Sequence, residues 1–322
     1  MSRQSTMRAL VEQYLRQQRS LGFQLRIEGQ QLLRFAEYVD HSGHKGPLTV
    51  ELAVRWAGLP TKSSRLYRAR RLEVVRCFAR YLASRDPRTE VPPMGLLGAA
   101  HRRNTPHIYA PEEISQLTRA AAQLSPAGGL RPRTYATLLG LLACTGMRIS
   151  EVLRLQREEV DLRQGILRIT CTKFRKSRLV PLHPSAVRAV SSYARIRDGF
   201  HPVVKAPHFF VGSTGGALAY STVRTTFRKI CRSLGWQGQP GSRAPRLHDL
   251  RHTFAVRRLL HWYEQGVDVN HAITALATYL GHRKVSDTYW YLTATPELMA
   301  VAGHRFERFA RSDSEGGVHD SQ

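Results

Sequence analysis

The sequence predicts a mainly α-helical protein of two domains, with one small β-hairpin or sheet in the second. Three observations predict it. Apolar residues recur at helical spacing over most of the chain. A stretch rich in proline and glycine, Asp86 to Thr105, breaks that pattern once, with Pro87, Pro92, Pro93, Gly95 and Gly98 inside it. Between Ile166 and Leu182 the residues become β-branched and alternating instead. A chain of 322 residues is also longer than one core usually serves. The expected organisation is a helical domain over 1–90, a linker over 91–106, a second domain over 107–311 and a polar, disordered tail over 312–322.

In order along the chain, Leu10, Val11, Tyr14 and Leu15 define a first helix from Arg8 to Arg19. Leu32, Leu33, Phe35, Ala36 and Val39 define a second from Gln30 to Val39. Thr49 or Val50 opens a short third helix that runs through Trp56. A fourth spans about Ser63 to Ser84, with Leu66, Tyr67, Leu72, Val75, Phe78, Ala79 and Leu82 inward. Its other face carries Lys62, Arg65, Arg68, Arg70, Arg71, Arg76 and Arg80 against Glu73 alone. A solvated helix face normally interleaves both signs, so this one reads as a phosphate-tracking surface, with Lys62, Arg65, Arg68, Arg71 and Arg76 as its candidate contacts. In the second domain Pro111, followed by Glu112 and Glu113, suits a helix N-terminus. Strands at Ile166 to Thr172 and Ser177 to Leu182 flank the turn Lys173-Phe174-Arg175-Lys176. Helices resume at Pro184, at Ser221 as an N-cap, and from Leu247 to about Phe309.

The charge narrows the partner. The 49 Lys and Arg exceed the 24 Asp and Glu by 25, while 42% of residues are hydrophobic, so the basicity sits on a folded surface. Such a surface faces a polyanion, nucleic acid ahead of a ribosome or an anionic membrane. The longest apolar run, Tyr135 to Met147, is too short to span a bilayer and meets Arg148, and the N-terminus shows no apolar export segment. A soluble, cytoplasmic and nucleoid-associated protein is expected. Cys77, Cys144, Cys171 and Cys231 form no CxxC pair, which points to buried thiols rather than a disulfide framework or a zinc site.

Four segments of the second domain carry candidate chemistry. In Cys144-Thr145-Gly146-Met147-Arg148-Ile149-Ser150-Glu151 the spacing lets Glu151 hold the Arg148 guanidinium in one orientation. Lys173 stands at the end of a strand; because the chain's cations are mostly arginine, a lysine is the sharper signal of proton chemistry. In Leu247-His248-Asp249-Leu250-Arg251-His252-Thr253-Phe254-Ala255, His248 and Arg251 share a helix face and can bond adjacent phosphodiester oxygens. Leu280-Gly281-His282 is followed by Tyr289-Trp290-Tyr291. Each segment alone has a bland reading as surface ion pair, solvated turn or packing.

In this order and at these separations the segments resemble the tyrosine recombinase, or phage integrase, family. The matching pieces are T-G-x-R-x-S-E, T-K-x-x-K-x-R-x-V-P-L, H-x-L-R-H-T-F-A, and L-G-H with a tyrosine nine residues on, over roughly Thr105 to Phe309. The resemblance implies an integrase-type catalytic domain, with the N-terminal helices as a core-binding, SAM-like domain completing a C-shaped clamp on double-stranded DNA. It implies a site-specific recombinase that cuts and rejoins DNA through a 3′-phosphotyrosyl intermediate and a Holliday junction. Tyr291 is the expected nucleophile, ahead of Tyr289. Arg148, Arg251 and His282 would neutralise the phosphorane, and Lys173, ahead of Lys176, would protonate the leaving 5′-oxygen. His248 would assist proton movement at the tyrosine. Glu151 would orient Arg148 and hold the neighbouring histidine. No metal and no cofactor is called for.

Exchange of four strands implies a homotetramer on two synapsed sites, or assembly with partner recombinases. The apolar segment Pro296 to Phe309 is the expected dock onto a neighbouring protomer. A long stretch between Arg251 and His282, with Trp262, Tyr263 and Val267-Asp268-Val269-Asn270 as an extended inter-helix segment, favours a mobile-element integrase or transposase over a housekeeping chromosome-dimer recombinase. Two readings stay open beside it: a relaxing topoisomerase of the type IB kind, and a catalytically idle DNA-binding regulator.

Overall fold

The computed structural model describes residues 6–101, 105–170, 177–203, 205–238, 243–282 and 284–294, with residues 300 and 303. The chain divides into two compact units between Asn104 and Thr105.

The first unit is four helices, α1 (Met7–Ser20), α2 (Arg26–His41), α3 (Val50–Gly58) and α4 (Arg65–Ala83). The hydroxyls of Thr6, Thr49 and Ser64 accept hydrogen bonds from the first-turn N–H groups of α1, α3 and α4, which fixes three of the four starts. The Asp40 carboxylate, at the end of α2, accepts from the N–H groups of Met7 and Arg8 at 2.9 and 3.1 Å, placing an anion on the positive end of α1. Val11, Phe35, Ala36, Val75, Phe78 and Ala79 are fully buried at the centre of the four-helix core. The proline- and glycine-rich segment folds back onto this core. Glu90 donates its N–H to the Leu48 carbonyl, its carboxylate accepts from Val50 N–H, and Val91 and Leu97 pack on the helices.

That segment changes the reading of the basic helix face. Arg65, Arg70 and Arg76 donate to the carbonyls of Leu97, Ala100 and Pro92, and Arg76 also pairs with Glu73. Arg71 is not on the outward face. It is 8% exposed, lies 3.7 Å over the Trp56 ring and donates to the Trp56 carbonyl at 2.8 Å. Tyr67, expected inward, is exposed: it lies one turn before Arg71 on the same stripe, its ring 5.9 Å from the guanidinium that takes the place on Trp56. Lys62 is exposed and Arg68 half-exposed.

The second unit is built around α6 (Leu130–Thr145), which beyond the arginines of its first turn is largely apolar and packs against α5 (Pro111–Ala122), α8 (Pro184–Phe200) and α10 (Leu247–Glu264). A short α7 (Ile149–Arg154) leads into an antiparallel sheet of β1 (Val160–Asp161), β2 (Ile166–Ile169) and β3 (Arg178–Pro181), paired Ile166 to Pro181 and Ile169 to Arg178. The expected hairpin is thus two of three strands; β1 holds too few residues to show alternation. Then come α9 (Tyr220–Ser233), α11 (Val269–Leu280) and α12 (Ser286–Ala294). A satellite core of Ala255, Val256, Leu259, Ile273, Leu280 and Tyr291 joins α10, α11 and α12.

Several local expectations are corrected. α9 is capped at Ala219, not Ser221, which lies inside the first turn. Trp262 and Tyr263 continue α10, so the connection to α11 is only the short turn that ends at the capping residue Asp268. Of the cysteines, Cys231 is buried, Cys77 half-buried and Cys144 exposed, so the thiols are not uniformly core. Cys171, Lys173 and Lys176 lie outside the described residues, as do the tail 312–322 and almost all of the segment from Pro296 to Phe309.

The Arg71 contact gives a stability test. Arg71→Ala removes a cation–π contact and the charged donor of the Trp56 carbonyl, which keeps only the longer bond from Leu59 N–H, an expected loss of about 2–4 kcal/mol. Amide exchange of α3 and α4 should speed accordingly, while Arg68→Ala leaves it unchanged.

Candidate functional site

Two helix ends build the site. α6 and α11 both stop at a glycine in the left-handed region, Gly146 at φ 61° and Gly281 at φ 67°. A Cβ on Gly146 would stand 2.5 Å from the Phe254 ring, so both the conformation and the space exclude other residues there. Arg148 follows the first corner and caps α7; His282 follows the second.

Arg251 joins the two corners. It is 2% exposed and donates to the Gly146 carbonyl at 2.8 Å and the Leu280 carbonyl at 2.7 Å. Burial, then the nearby Arg148 charge, lower its pKa to about 10, which leaves it charged at neutral pH. Arg148 is tied to the same second corner through the Gly281 carbonyl at 2.8 Å.

Glu151 is the buried anion of the cluster. Its carboxylate accepts from the Arg148 N–H and guanidinium, both at 2.9 Å, and from two nitrogens of Arg178 at 2.8 and 3.1 Å. Burial alone would raise its pKa, but the bonds and charges of Arg178 and Arg148 outweigh this and hold it at about 2. The expectation that Glu151 holds Arg148 stands in the geometry. The expectation that it holds a histidine does not: its other partner is Arg178, the first residue of β3.

Two histidines flank the tyrosine, and a third packs on one of them. Tyr291 is 2% exposed, and Tyr289 is 43% exposed. Burial raises the Tyr291 pKa, opposed by the Arg251 charge, so the phenol is protonated at rest. His282 stacks beside the Tyr291 ring at 6.2 Å, and its Nδ1 is fixed 2.6 Å from the hydroxyl of the buried Thr288. Burial and the charges of Arg251 and Arg148 lower its pKa to about 4. His248 sits one turn before His252 on α10, their rings edge to face at 4.6 Å. The phenolic oxygen is bonded not by His248 but by His252, whose Nδ1 lies 3.1 Å away.

The structure thus gathers Arg148, Glu151, His248, Arg251, His282 and Tyr291, as the sequence suggested. It adds Arg178, His252 and Thr288. The signal for His252 was its spacing of four from His248, which puts both rings on one helix face. Thr288, three before Tyr291, had the same kind of signal; Arg178 stood in the strand motif T-K-x-x-K-x-R-x-V-P-L, but nothing there pointed to its partner Glu151, which is distant in sequence. Among the described residues no three His, Cys, Asp or Glu side chains are grouped to hold a metal ion, and no helix is long and apolar enough to cross a membrane.

The family model described as "Phage integrase family" matches residues 109–297. The chain is 40% identical over 308 residues to the "Putative integrase/recombinase y4rB" of Sinorhizobium fredii, covering 94% of this chain and 98% of that one. It is 30% identical over 229 residues to the tyrosine recombinase XerC of Chlamydia caviae, covering 71% and 68%. In fold it is similar to the Tn1549 transposon integrase in complex with transposon right end DNA, at TM-score 0.69 and 15% identity over 95% of this chain and 100% of that one. The XerH recombinase in a post-cleavage complex with difH matches at TM-score 0.65 and 17% identity, covering 92% and 84%. With the matched segment holding both glycine corners, the buried Arg251 and the tyrosine beside them, the chain belongs to the phage integrase family of tyrosine recombinases.

Proposed function

We propose that this protein is a site-specific DNA recombinase of a mobile element and that Tyr291 is its nucleophile. Site-specific recombination on DNA is the activity of the family. The observation that carries the assignment to Tyr291 is its place: a buried phenol beside Arg251 and the histidines, where Tyr289 is exposed. Relatives named as integrases and a transposon integrase of the same fold support the mobile-element reading.

Strand exchange without an external energy source has to conserve the phosphodiester bond energy, which a covalent protein–DNA link does. Tyr291 Oη attacks the scissile phosphorus, leaving a 3′-phosphotyrosyl bond and a free 5′-hydroxyl. The phosphorane gains negative charge on its non-bridging oxygens. Arg148 and Arg251, held by backbone carbonyls, and His282, held by Thr288, meet that charge with donors already oriented. Loss of one such donor typically costs ~3 kcal/mol, about 100-fold in rate. Lys173, which follows β2 in the chain, is assigned the proton for the leaving 5′-oxygen. Glu151 holds Arg148 and stays off the DNA. The released 5′-hydroxyl attacks the partner duplex, and two rounds pass through a Holliday junction on a tetramer. A neighbour of this fold is a lambda integrase tetramer bound to such a junction, in line with that assembly.

The test uses nicked duplexes from the DNA flanking the gene, where a short cleavage product diffuses away and traps the covalent complex. Wild type and Tyr289→Phe should give a protease-sensitive shifted band on a denaturing gel; Tyr291→Phe should give none. A band that persists in Tyr291→Phe overturns the nucleophile. Relaxation of supercoiled DNA without strand exchange would make the protein a topoisomerase, and binding without any trapped complex a regulator.

Phosphate contact by the first unit is assigned to Lys62, Arg65 and Arg68. Arg71 and Arg76 act through the fold that presents them. Lys62→Ala with Arg68→Ala should weaken binding to all sequences alike and flatten the plot of log affinity against log salt by roughly one unit per lost contact.

A further inference from the structure

We infer that His252 is a further catalytic residue, the group whose Nδ1 takes the phenolic proton as Tyr291 attacks; this rests on the reading of Tyr291 as nucleophile. His252 Nδ1 stands 3.1 Å from Tyr291 Oη, within the reach a proton acceptor needs. Its ring is half-buried and held from two sides, edge to face with His248 at 4.6 Å and with Trp290 at 5.5 Å, so its aim at the phenol is fixed by packing. Arg251 precedes it in the chain, and the pair comes to the site on one turn of α10, the arginine for the phosphate and the imidazole for the nucleophile.

The electrostatics suit the role. Burial, with His248, Arg246, Arg251 and His282 around it, lowers the imidazole pKa to about 3. The free protein therefore keeps His252 neutral, and in its Nε2–H tautomer Nδ1 is an open acceptor. A scissile phosphate seated against Arg148, Arg251 and His282 brings the negative charge that offsets this repulsion. The imidazole gains basicity only when the substrate is in place.

The proton count closes. The Oη–H bond breaks as the Oη–P bond forms, and the proton passes to Nδ1. The electron pair of the P–O5′ bond leaves with O5′, which is protonated by the acid assigned to Lys173. In strand joining the incoming 5′-hydroxyl gives its proton to the base form of the acid assigned to Lys173 as its oxygen bonds phosphorus, the P–Oη bond breaks, and Nδ1 returns its proton to Oη.

The experiment follows covalent-complex formation on nicked duplexes with either a normal 5′-oxygen or a bridging 5′-sulfur as leaving group. His252→Phe keeps a ring for packing and loses the acceptor. His252→Asn keeps an acceptor that cannot hold a proton. Both should bind DNA like wild type and cleave both substrates ~100-fold or more slowly. Lys173→Ala should be slow on oxygen and recover on sulfur, whose thiolate leaves without a proton. Near-normal or faster cleavage by His252→Phe overturns the inference, because the bond then only parks the tyrosine. Full activity of His252→Asn overturns it in favour of positioning, and recovery on sulfur makes His252 the leaving group's acid instead. Covalent complex formed by Tyr291→Phe sinks the nucleophile assignment, a separate failure from these.

Discussion

The catalytic unit depends on one buried guanidinium. Arg251 is enclosed almost completely and bonds the carbonyls at the ends of α6 and α11. Burying a charge without partners costs several kcal/mol. Here the partners are the unpaired carbonyls of two helix C-termini, groups that carry partial negative charge and need donors of their own. One side chain meets both needs and sets the distance between the corners. Arg148 and His282 emerge directly from those corners, so their spacing follows from the same bond pair. The left-handed glycines are the backbone condition for it, since only they let each helix stop with its carbonyls turned to the guanidinium.

Around this centre the charge is unbalanced by construction. Arg148, Arg178 and Arg251 cluster around the buried carboxylate of Glu151, while the other buried carboxylate of the site, Asp249 on α10, is taken by Arg246. The consequence is visible in the neighbours: His252 and His282 are held neutral, and Glu151 is held ionised far below the usual carboxylate range. A site with surplus positive charge, fixed donors and neutral imidazoles is organised for an anion that is not part of the protein. In the proposed function that anion is a phosphodiester, whose charge would raise the proton affinities of the imidazoles around it.

The first unit uses arginine differently. Arg65, Arg70 and Arg76 hold the returning chain by its carbonyls, and Arg71 stacks on Trp56 inside the core. A planar guanidinium can stack, donate in several directions and still keep its charge near the surface, so one helix face serves both folding and electrostatic attraction. The stem of Arg71 packs as a hydrophobic residue would.

Much of this was legible in the sequence, where local chemistry dictates local structure. Helical periodicity gave the four helices of the first unit and most of the second, and the alternating run gave β2 and β3. Gly146, Arg148 and Glu151 are neighbours in the chain, so their capping geometry followed from spacing, as did the shared face of His248 and Arg251. Other features were decided only by tertiary structure. Glu151 meets Arg178 because β3 is folded back against α7. Tyr291 meets His252 because α12 packs on α10, and the same packing exposes Tyr289. Arg71 turned inward because an indole from α3 stood opposite it, a partner fifteen residues away that no charge count reveals. The sequence by itself determined which residue types were present and which shared a helix face. Which of them touched was set by the packing of distant elements, because a side chain's role depends on the solvent it loses and the partner it gains when the core closes.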